Sequence, residues 1–204
     1  MIGHLKKLLA RPAVYRVFGE VVGAESGRRR FVREHVLARR GDRVLDIGCG
    51  PADVLPHLPE VAYVGFDANP SYIASAKARH GTRGTFHAAR VSEEDLSAHS
   101  DYDVVLAIGL LHHLDDVEGE RLFELAKRAL RPGGRFVTLD GCYTEEQSRL
   151  ARYMLSRDRG EHVRTEDGYT RIAKRVFDDM RVTVREDLLR LPYTHVILEC
   201  VRPE

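Results

Sequence analysis

Residues 43–53 read Arg–Val–Leu–Asp–Ile–Gly–Cys–Gly–Pro–Ala–Asp. The short apolar run Arg43–Val44–Leu45–Asp46–Ile47, bounded by Gly41 and Gly48, predicts a buried strand. It empties into Gly48–Cys49–Gly50, and Asp53 to Leu58 is expected to open a short helix. A strand that is apolar on both faces needs helices on both sides, so this unit points to a parallel α/β sheet. Gly48 and Gly50 carry no Cβ at the point where a ligand has to approach the backbone.

The same alternation continues downstream. Val61 to Phe66 predicts a second strand ending at Asp67, Pro70 suits a first helical turn, and Ser71 to Arg79 continues as helix. Thr85 to Ala88 and Tyr102 to Ile108 predict the third and fourth strands. Glu118 to Leu130 reads as an amphipathic helix stopped by Arg131–Pro132–Gly133–Gly134, with a fifth strand from Arg135 to Leu139. Helices are expected from Glu145 to Arg157 and from Tyr169 to Phe177. Arg181–Arg185 and Thr194–Val201 predict two last strands with only a loop between them, hence an antiparallel hairpin at the sheet edge. Ahead of the sheet, Val14, Val17, Phe18, Val21 and Val22 recur at helical spacing. After a break at Gly27, so do Phe31, Val32, His35, Val36 and Leu37. The expected class is α/β: a doubly wound, mostly parallel sheet with an antiparallel last strand. Residues 1–40 form an N-terminal helical segment, and 41–204 the main domain with a helical insertion over 142–180.

Composition limits the function. With 43% hydrophobic and 31% charged residues the chain can bury a sizeable core, which excludes low-complexity disorder. Lys and Arg number 32 against 31 Asp and Glu, so bulk charge gives no argument for nucleic-acid binding. The longest uncharged run, Val104 to Leu114, is eleven residues and too short to span a bilayer. Met1 to Lys7 is basic but is not followed by an apolar segment and small-residue cleavage site, so no signal peptide is expected. Cys49, Cys142 and Cys200 lie too far apart for a CxxC pair or a disulfide framework. A reducing, cytoplasmic setting is therefore expected, and a metal site is not. Residues 1–40 carry ten basic and three acidic side chains; residues 41–140 carry ten and sixteen. The basic segment reads as solvated helix faces, with contact to an anionic partner as the alternative.

Asp67 follows Asp46 by twenty-one residues and ends the second strand. An acidic side chain there accepts hydrogen bonds from both ribose hydroxyls of a nucleoside. Dinucleotide binders hold pyrophosphate behind a GxGxxG turn, but the third glycine place is taken here by Asp53, and Asp46 adds a further negative charge. An acidic turn suits a nucleoside with a cationic end and no phosphate.

Four blocks then resemble one family. Val44–Leu45–Asp46–Ile47–Gly48–Cys49–Gly50 is similar to the first motif of class I S-adenosylmethionine-dependent methyltransferases of the type 11/12 kind. Gly65–Phe66–Asp67–Ala68–Asn69–Pro70 is similar to their second. Tyr102–Asp103–Val104–Val105 with Leu111–His112–His113–Leu114 resembles the fourth-strand block, and Leu130 to Phe136 the block before the fifth strand. The resemblance spans 41–141 and implies a seven-stranded Rossmann-like sheet of order 3-2-1-4-5-7-6. It implies S-adenosyl-L-methionine as cofactor, S-adenosyl-L-homocysteine as product, and in-line methyl transfer to a small molecule. Asp46 and the backbone of Gly48, Cys49 and Gly50 would hold the amino-acid end of the cofactor; Asp67 the ribose; Ala68 the adenine side; Ile108 and Gly109 the region of the methyl group. Where the family carries an acidic residue after the third strand, this chain has Arg90. Glu93 or Glu94 would take its place, or Arg90 would stack on the ring, with Val91 offering its backbone N–H.

His112 and His113 are the candidate general bases, because histidine titrates near neutral pH; the alternative is a scaffold role. Asp115–Asp116 reads as a helix N-cap. Within the insertion, Tyr143, Arg152, Tyr153 and Arg157 suggest contacts to an acidic or phosphorylated substrate or a glycan or natural-product precursor, through arginine forks and flat rings. The competing reading is a solvated helix with Leu150, Met154 and Leu155 turned inward. The N-terminal segment and the insertion are the expected lids over the site. Methylation of nucleic acid or protein is a second reading, lowered because Ala107–Ile108–Gly109–Leu110 stands where an Asn/Asp-Pro-Pro-Tyr signature would be. A non-catalytic S-adenosylmethionine-binding partner is a third, and the oligomeric state is open.

Overall fold

A computed structural model of the chain describes residues 23–92, 100–157 and 160–204. The helix expected over 14–22 lies outside them. The elements are α1 (Ala24–Phe31), β1 (Arg43–Ile47), β2 (Ala62–Phe66), α2 (Pro70–His80), β3 (Gly84–His87), β4 (Tyr102–Ile108), α3 (Asp116–Ala129), β5 (Leu130–Tyr143), α4 (Arg149–Ser156), β6 (Arg164–Thr165), α5 (Glu166–Ala173), β7 (Met180–Arg185) and β8 (His195–Val201). Seven strands run in the order β3-β2-β1-β4-β5-β8-β7, and the two-residue β6 pairs with β5 beside that path. β1 to β5 pair parallel, while β8 pairs antiparallel with both β5 and β7. With β6 set aside, this is the order that the resemblance implies. Among the described residues no helix is long and apolar enough to cross a membrane.

Each sheet face carries its own core. On one side α3, α5 and the turn after α5 bring Leu122, Phe123, Ala126, Tyr169, Ile172 and Phe177 against Leu45, Val105, Phe136 and Leu198. Phe123 meets Phe136 edge-on at 5.2 Å, a favourable arrangement of ring quadrupoles. On the other side α1, its one-turn π extension Val32–Val36 and α2 bury Phe31, Val36, Ile73 and Ala76 against Val44, Val104 and Ile197. A buried charge survives only if paired, and Glu199 of β8 is paired twice. It accepts from Arg135 Nη2 at 2.9 Å and faces His35 Nδ1 at 3.1 Å, which fastens the α1 segment to the sheet.

Several expected boundaries move, each for a local reason. The helix expected from Asp53 to Leu58 is only a 3-10 turn, Leu55–His57, because Ala52 has φ 55° and Pro56 has no N–H to donate. β5 runs past Leu139 to Tyr143, since β8 pairs it out to Gly141 and β6 out to Tyr143. Helix α4 starts only at Arg149, with Ser148 capping the Ala151 N–H at 3.1 Å. That phase turns Ala151 and Leu155 inward, half-buries Met154 and leaves Leu150 57% exposed, so the competing reading of this helix holds for Leu155 but not for Leu150. Gly27 does not break a helix: it lies inside α1, where a Cβ would come 2.1 Å from the Leu188 carbonyl oxygen. Gly27→Ala therefore forces α1 off the chain at Leu188. The expected cost is about 1–3 kcal/mol of stability, read from the urea midpoint at an unchanged slope.

Candidate active site

Strand order reverses between β1 and β4, and ligands of open α/β sheets bind beyond the carboxyl ends of strands at such a reversal. Three acids stand at strand ends there. Asp46 lies in β1 opposite Gly65 of β2 and Leu106 of β4. It is buried; its Oδ2 accepts from the Tyr63 hydroxyl at 2.6 Å, and its Oδ1 meets no hydrogen-bond partner among the described residues. Burial is the main cause that pushes the Asp46 carboxyl up to about 7; the Tyr63 bond opposes it and the charge of Asp67 adds to it.

The turn after β1 is left-handed, with φ 74° at Gly48 and 54° at Gly50. The N–H groups of Gly48 and Cys49 both donate to the Phe66 carbonyl, at 2.8 and 2.9 Å. A Cβ at Gly48 would press on Leu110 at 3.0 Å, whereas one at Gly50 would meet nothing within 4 Å, so the open approach lies over Gly50. Asp67 closes the turn from the β2 side: Oδ2 accepts from the Gly50 N–H at 2.9 Å and Oδ1 from the Asn69 N–H at 2.7 Å. Each oxygen keeps a further lone pair for an incoming hydroxyl. Cys49 is buried, and burial holds its thiol far above the ordinary range, which removes it as a nucleophile. Asp53 is compensated by Arg28 at 3.3 Å and by Arg79, so the negative character of the turn comes from Asp46 and Asp67.

At the exit of β3 the described residues 88–92 carry no acid, and Arg90 is exposed with its guanidinium 3.8 Å from Glu118. Val91 is half-buried against the α3-side core, and Glu93 and Glu94 lie outside the described residues. At the end of β4, Ile108 is half-buried, and Gly109, with φ 66°, donates its N–H to Leu139 O at 2.7 Å. Beyond it Leu111–His113 forms one 3-10 turn that turns His112 inward and leaves His113 exposed, the two rings 4.2 Å apart. His112 Cε1 lies 3.7 Å from where a Gly109 Cβ would stand. Its Nδ1 is 2.8 Å from Asp140 Oδ1, and its backbone N–H donates to the same oxygen at 3.2 Å. If Asp140 is ionised, its Oδ1 accepts from both, which would place the ring proton on Nδ1 and leave Nε2 as the basic nitrogen. Asp140 is buried near the end of β5; burial pushes its carboxyl up, His112 pulls it down, and its Oδ2 meets no partner among the described residues.

Asp115 caps α3 by accepting the Glu118 N–H at 2.8 Å, as expected, and Asp116 meets Arg164. No group of three or more His, Cys, Asp or Glu among the described residues is placed to hold a metal. In the insertion, Arg152 stacks over Tyr143 at 5.6 Å and donates to Thr144 O, and Arg157 stacks over Tyr153 at 5.1 Å. The four residues form two arginine–tyrosine pairs, at the end of β5 and on the outer face of α4. Sequence reasoning missed Tyr63 and Asp140. Asp140 had a usable signal, because it is an acid at a strand's carboxyl end, as Asp46 and Asp67 are.

Residues 45–136 match the family model described as a methyltransferase domain. A curated relative, 27-O-demethylrifamycin SV methyltransferase of Amycolatopsis mediterranei, is 36% identical over 110 residues, 50% of this chain and 39% of that protein. Residues 45–136 carry a methyltransferase domain. Two solved structures share its fold. The pyocyanin biosynthetic protein PhzM has a TM-score of 0.70 at 16% identity, covering 96% of this chain and 61% of that one. Phosphoethanolamine N-methyltransferase 2 of Haemonchus contortus, solved with phosphomonomethylethanolamine and S-adenosylhomocysteine, has a TM-score of 0.66 at 18% identity, covering 87% and 52%.

The methyltransferase domain fits that nucleoside on its own geometry. The orphaned Asp46 Oδ1 asks for a cationic donor, Gly50 leaves room above the turn, and Asp67 retains lone pairs for a diol. The free protein holds a proton on Asp46 up to about pH 7, while the unfolded chain releases it near 3.8. This group's contribution to stability is thus full below about 3.8 and lost as pH rises through about 7. An ammonium favours the ionised carboxylate. S-adenosylhomocysteine should therefore raise Tm more at pH 8 than at pH 6, and in Asp46→Asn the gain should be the same at both, as read by thermal shift.

Proposed function

We propose that the protein transfers a methyl group from S-adenosylmethionine to a small-molecule acceptor, with Asp46, Gly48, Cys49 and Gly50 at the amino-acid end of the cofactor and Asp67 on the ribose. The observation that carries this reading is the pair of carboxylates bracketing the glycine turn, one of them buried with an unmet oxygen. The bound cofactor supplies an activated methyl, so the protein's tasks are positioning and the exclusion of water. Ala68, Arg90 and Val91 lie on the adenine side, and Ile108 and Gly109 beside the reacting end. His112 Nε2 accepts the proton of the acceptor's hydroxyl or amine as the new bond forms, and Asp140 stabilises the imidazolium that results. His113, exposed, is the lesser candidate for that role.

The N-terminal segment, residues 1–40, and the insertion, 142–180, are the proposed covers. An acidic or phosphorylated acceptor is supported by α4, whose eight residues include Arg149 and Arg152 and no acid, with Arg157 just beyond. It is also in keeping with the phosphorylated ligand named for the Haemonchus contortus structure. Tyr143, Arg152, Tyr153 and Arg157 would meet that acceptor. The chain spans well under two thirds of its curated relative, and the reaction is tested on the chain itself. Asp67→Ala should weaken S-adenosylmethionine binding at least about tenfold by calorimetry, since hydrogen bonds to a charged group are lost. Incubation with S-adenosylmethionine and a small-metabolite extract should yield S-adenosylhomocysteine, and His112→Ala should suppress it without loss of cofactor binding. Wild-type affinity in Asp67→Ala, or a product yield unchanged by His112→Ala, contradicts the respective assignment.

A further inference from the structure

One guanidinium ties together the two pieces of chain that carry His112 and Asp140. Arg164 belongs to the insertion and lies in β6, its side chain 11% exposed. Five hydrogen bonds use its N–H groups. Nε and Nη2 donate to Asp116 Oδ1 at 3.0 and 2.8 Å, Nη1 to Leu111 O at 3.1 Å and His162 O at 2.9 Å, and Nη2 to Leu114 O at 2.7 Å. Leu111 and Leu114 flank the His112–His113 pair, so the fork grips the turn on both sides of the histidines.

The other side of Arg164 is fixed to β5. Its backbone pairs with Cys142, two residues beyond Asp140. Its guanidinium stacks over Tyr169 at 5.6 Å, and the Tyr169 hydroxyl donates to Gly141 O at 2.9 Å. The same stretch closes over the imidazole: the His162 N–H donates to His112 O at 2.9 Å, and a Cβ at Gly160 would fall 2.0 Å from His112 Cδ2. His112 and Asp140 sit on a loop turn and near a strand end, joined directly by the two contacts to Asp140 Oδ1, and Arg164 adds a brace that passes through neither side chain.

We propose that Arg164 is a positioning residue that fixes the turn of His112 against the strand of Asp140 and so keeps the imidazole proton on Nδ1. This rests on the reading of His112 as the base. A planar fork reaches both backbone carbonyls at once, and a lysine ammonium, a single point charge, does not. Asp116 is 66% exposed and contributes little to the clamp, because screened surface pairs are weak.

The test is 15N NMR of histidine-labelled protein saturated with S-adenosylhomocysteine, with His112→Ala assigning the signal. Wild-type protein and Asp116→Ala should keep His112 in the Nδ1–H tautomer. Arg164→Lys and Arg164→Gln should mix the tautomers and shift the pH at which the ring titrates, with S-adenosylhomocysteine affinity unchanged by calorimetry. In the extract assay kcat should fall while KM for S-adenosylmethionine stays. Wild-type tautomer and titration in both Arg164 variants overturn the proposal. So does loss of S-adenosylhomocysteine binding in both, which would make Arg164 a determinant of the fold alone. If His112→Ala retains full methyl transfer, the base reading fails, and the NMR result then reports on the clamp by itself.

Discussion

A carboxylate taken out of water must find donors, and this site is built around three carboxylates at the carboxyl ends of the parallel strands β2, β1 and β5. Asp67 is answered by two backbone N–H groups, Asp46 by one phenol, and Asp140 by one imidazole and its amide. Asp46 and Asp140 each keep one buried oxygen without a partner among the described residues. Such oxygens cost free energy in the empty protein, and a ligand that brings donors removes the cost. The polarity of the strand tips follows from that one constraint, and the proposed preference for a nucleoside with a positive end rests on it.

The rest of the structure keeps the acids from relaxing. Two cores grip the sheet, one under α3 and α5 and one under α1 and α2, so the strand tips have little freedom. Tyr63 reaches Asp46 because β2 lies beside β1 in register, with Asp46 opposite Gly65, a position whose missing side chain leaves space for Cys49. The insertion completes the arrangement by anchoring the His112 turn to β5 through Arg164, Tyr169 and the backbone of His162.

The parallel sheet was legible because its strands are short apolar runs separated by glycine turns and amphipathic helices, signals that arise within a few residues. The edge hairpin was legible from the length of its loop. Asp46, the glycines and Asp67 were legible because the turn and strand end that hold them are themselves local patterns. Asp140 and Tyr63 were not singled out, because their roles come from pairings across 17 residues of chain or more that no local pattern records. The facing of α4 was left open by the sequence: Ala151 and Leu155 share its buried side, while Leu150, five residues before Leu155, lies on the solvent side. The shrinking of the helix expected after Gly50 to a 3-10 turn depended on Pro56 and on the left-handed Ala52, a conformation that composition does not announce.

What selects the ligand, on this reading, is the pair of acids at the tips of β1 and β2, Asp46 with one unmet oxygen and Asp67 with a lone pair left on each. A crystal structure grown with S-adenosylhomocysteine at neutral pH examines it atom by atom. The account predicts the ligand's amino group on the Asp46 side of the glycine turn and both ribose hydroxyls within about 2.7–3.2 Å of the Asp67 oxygens. A ligand seated away from that turn, or a ribose held by other groups with Asp67 still bound only to Gly50 and Asn69, would contradict it.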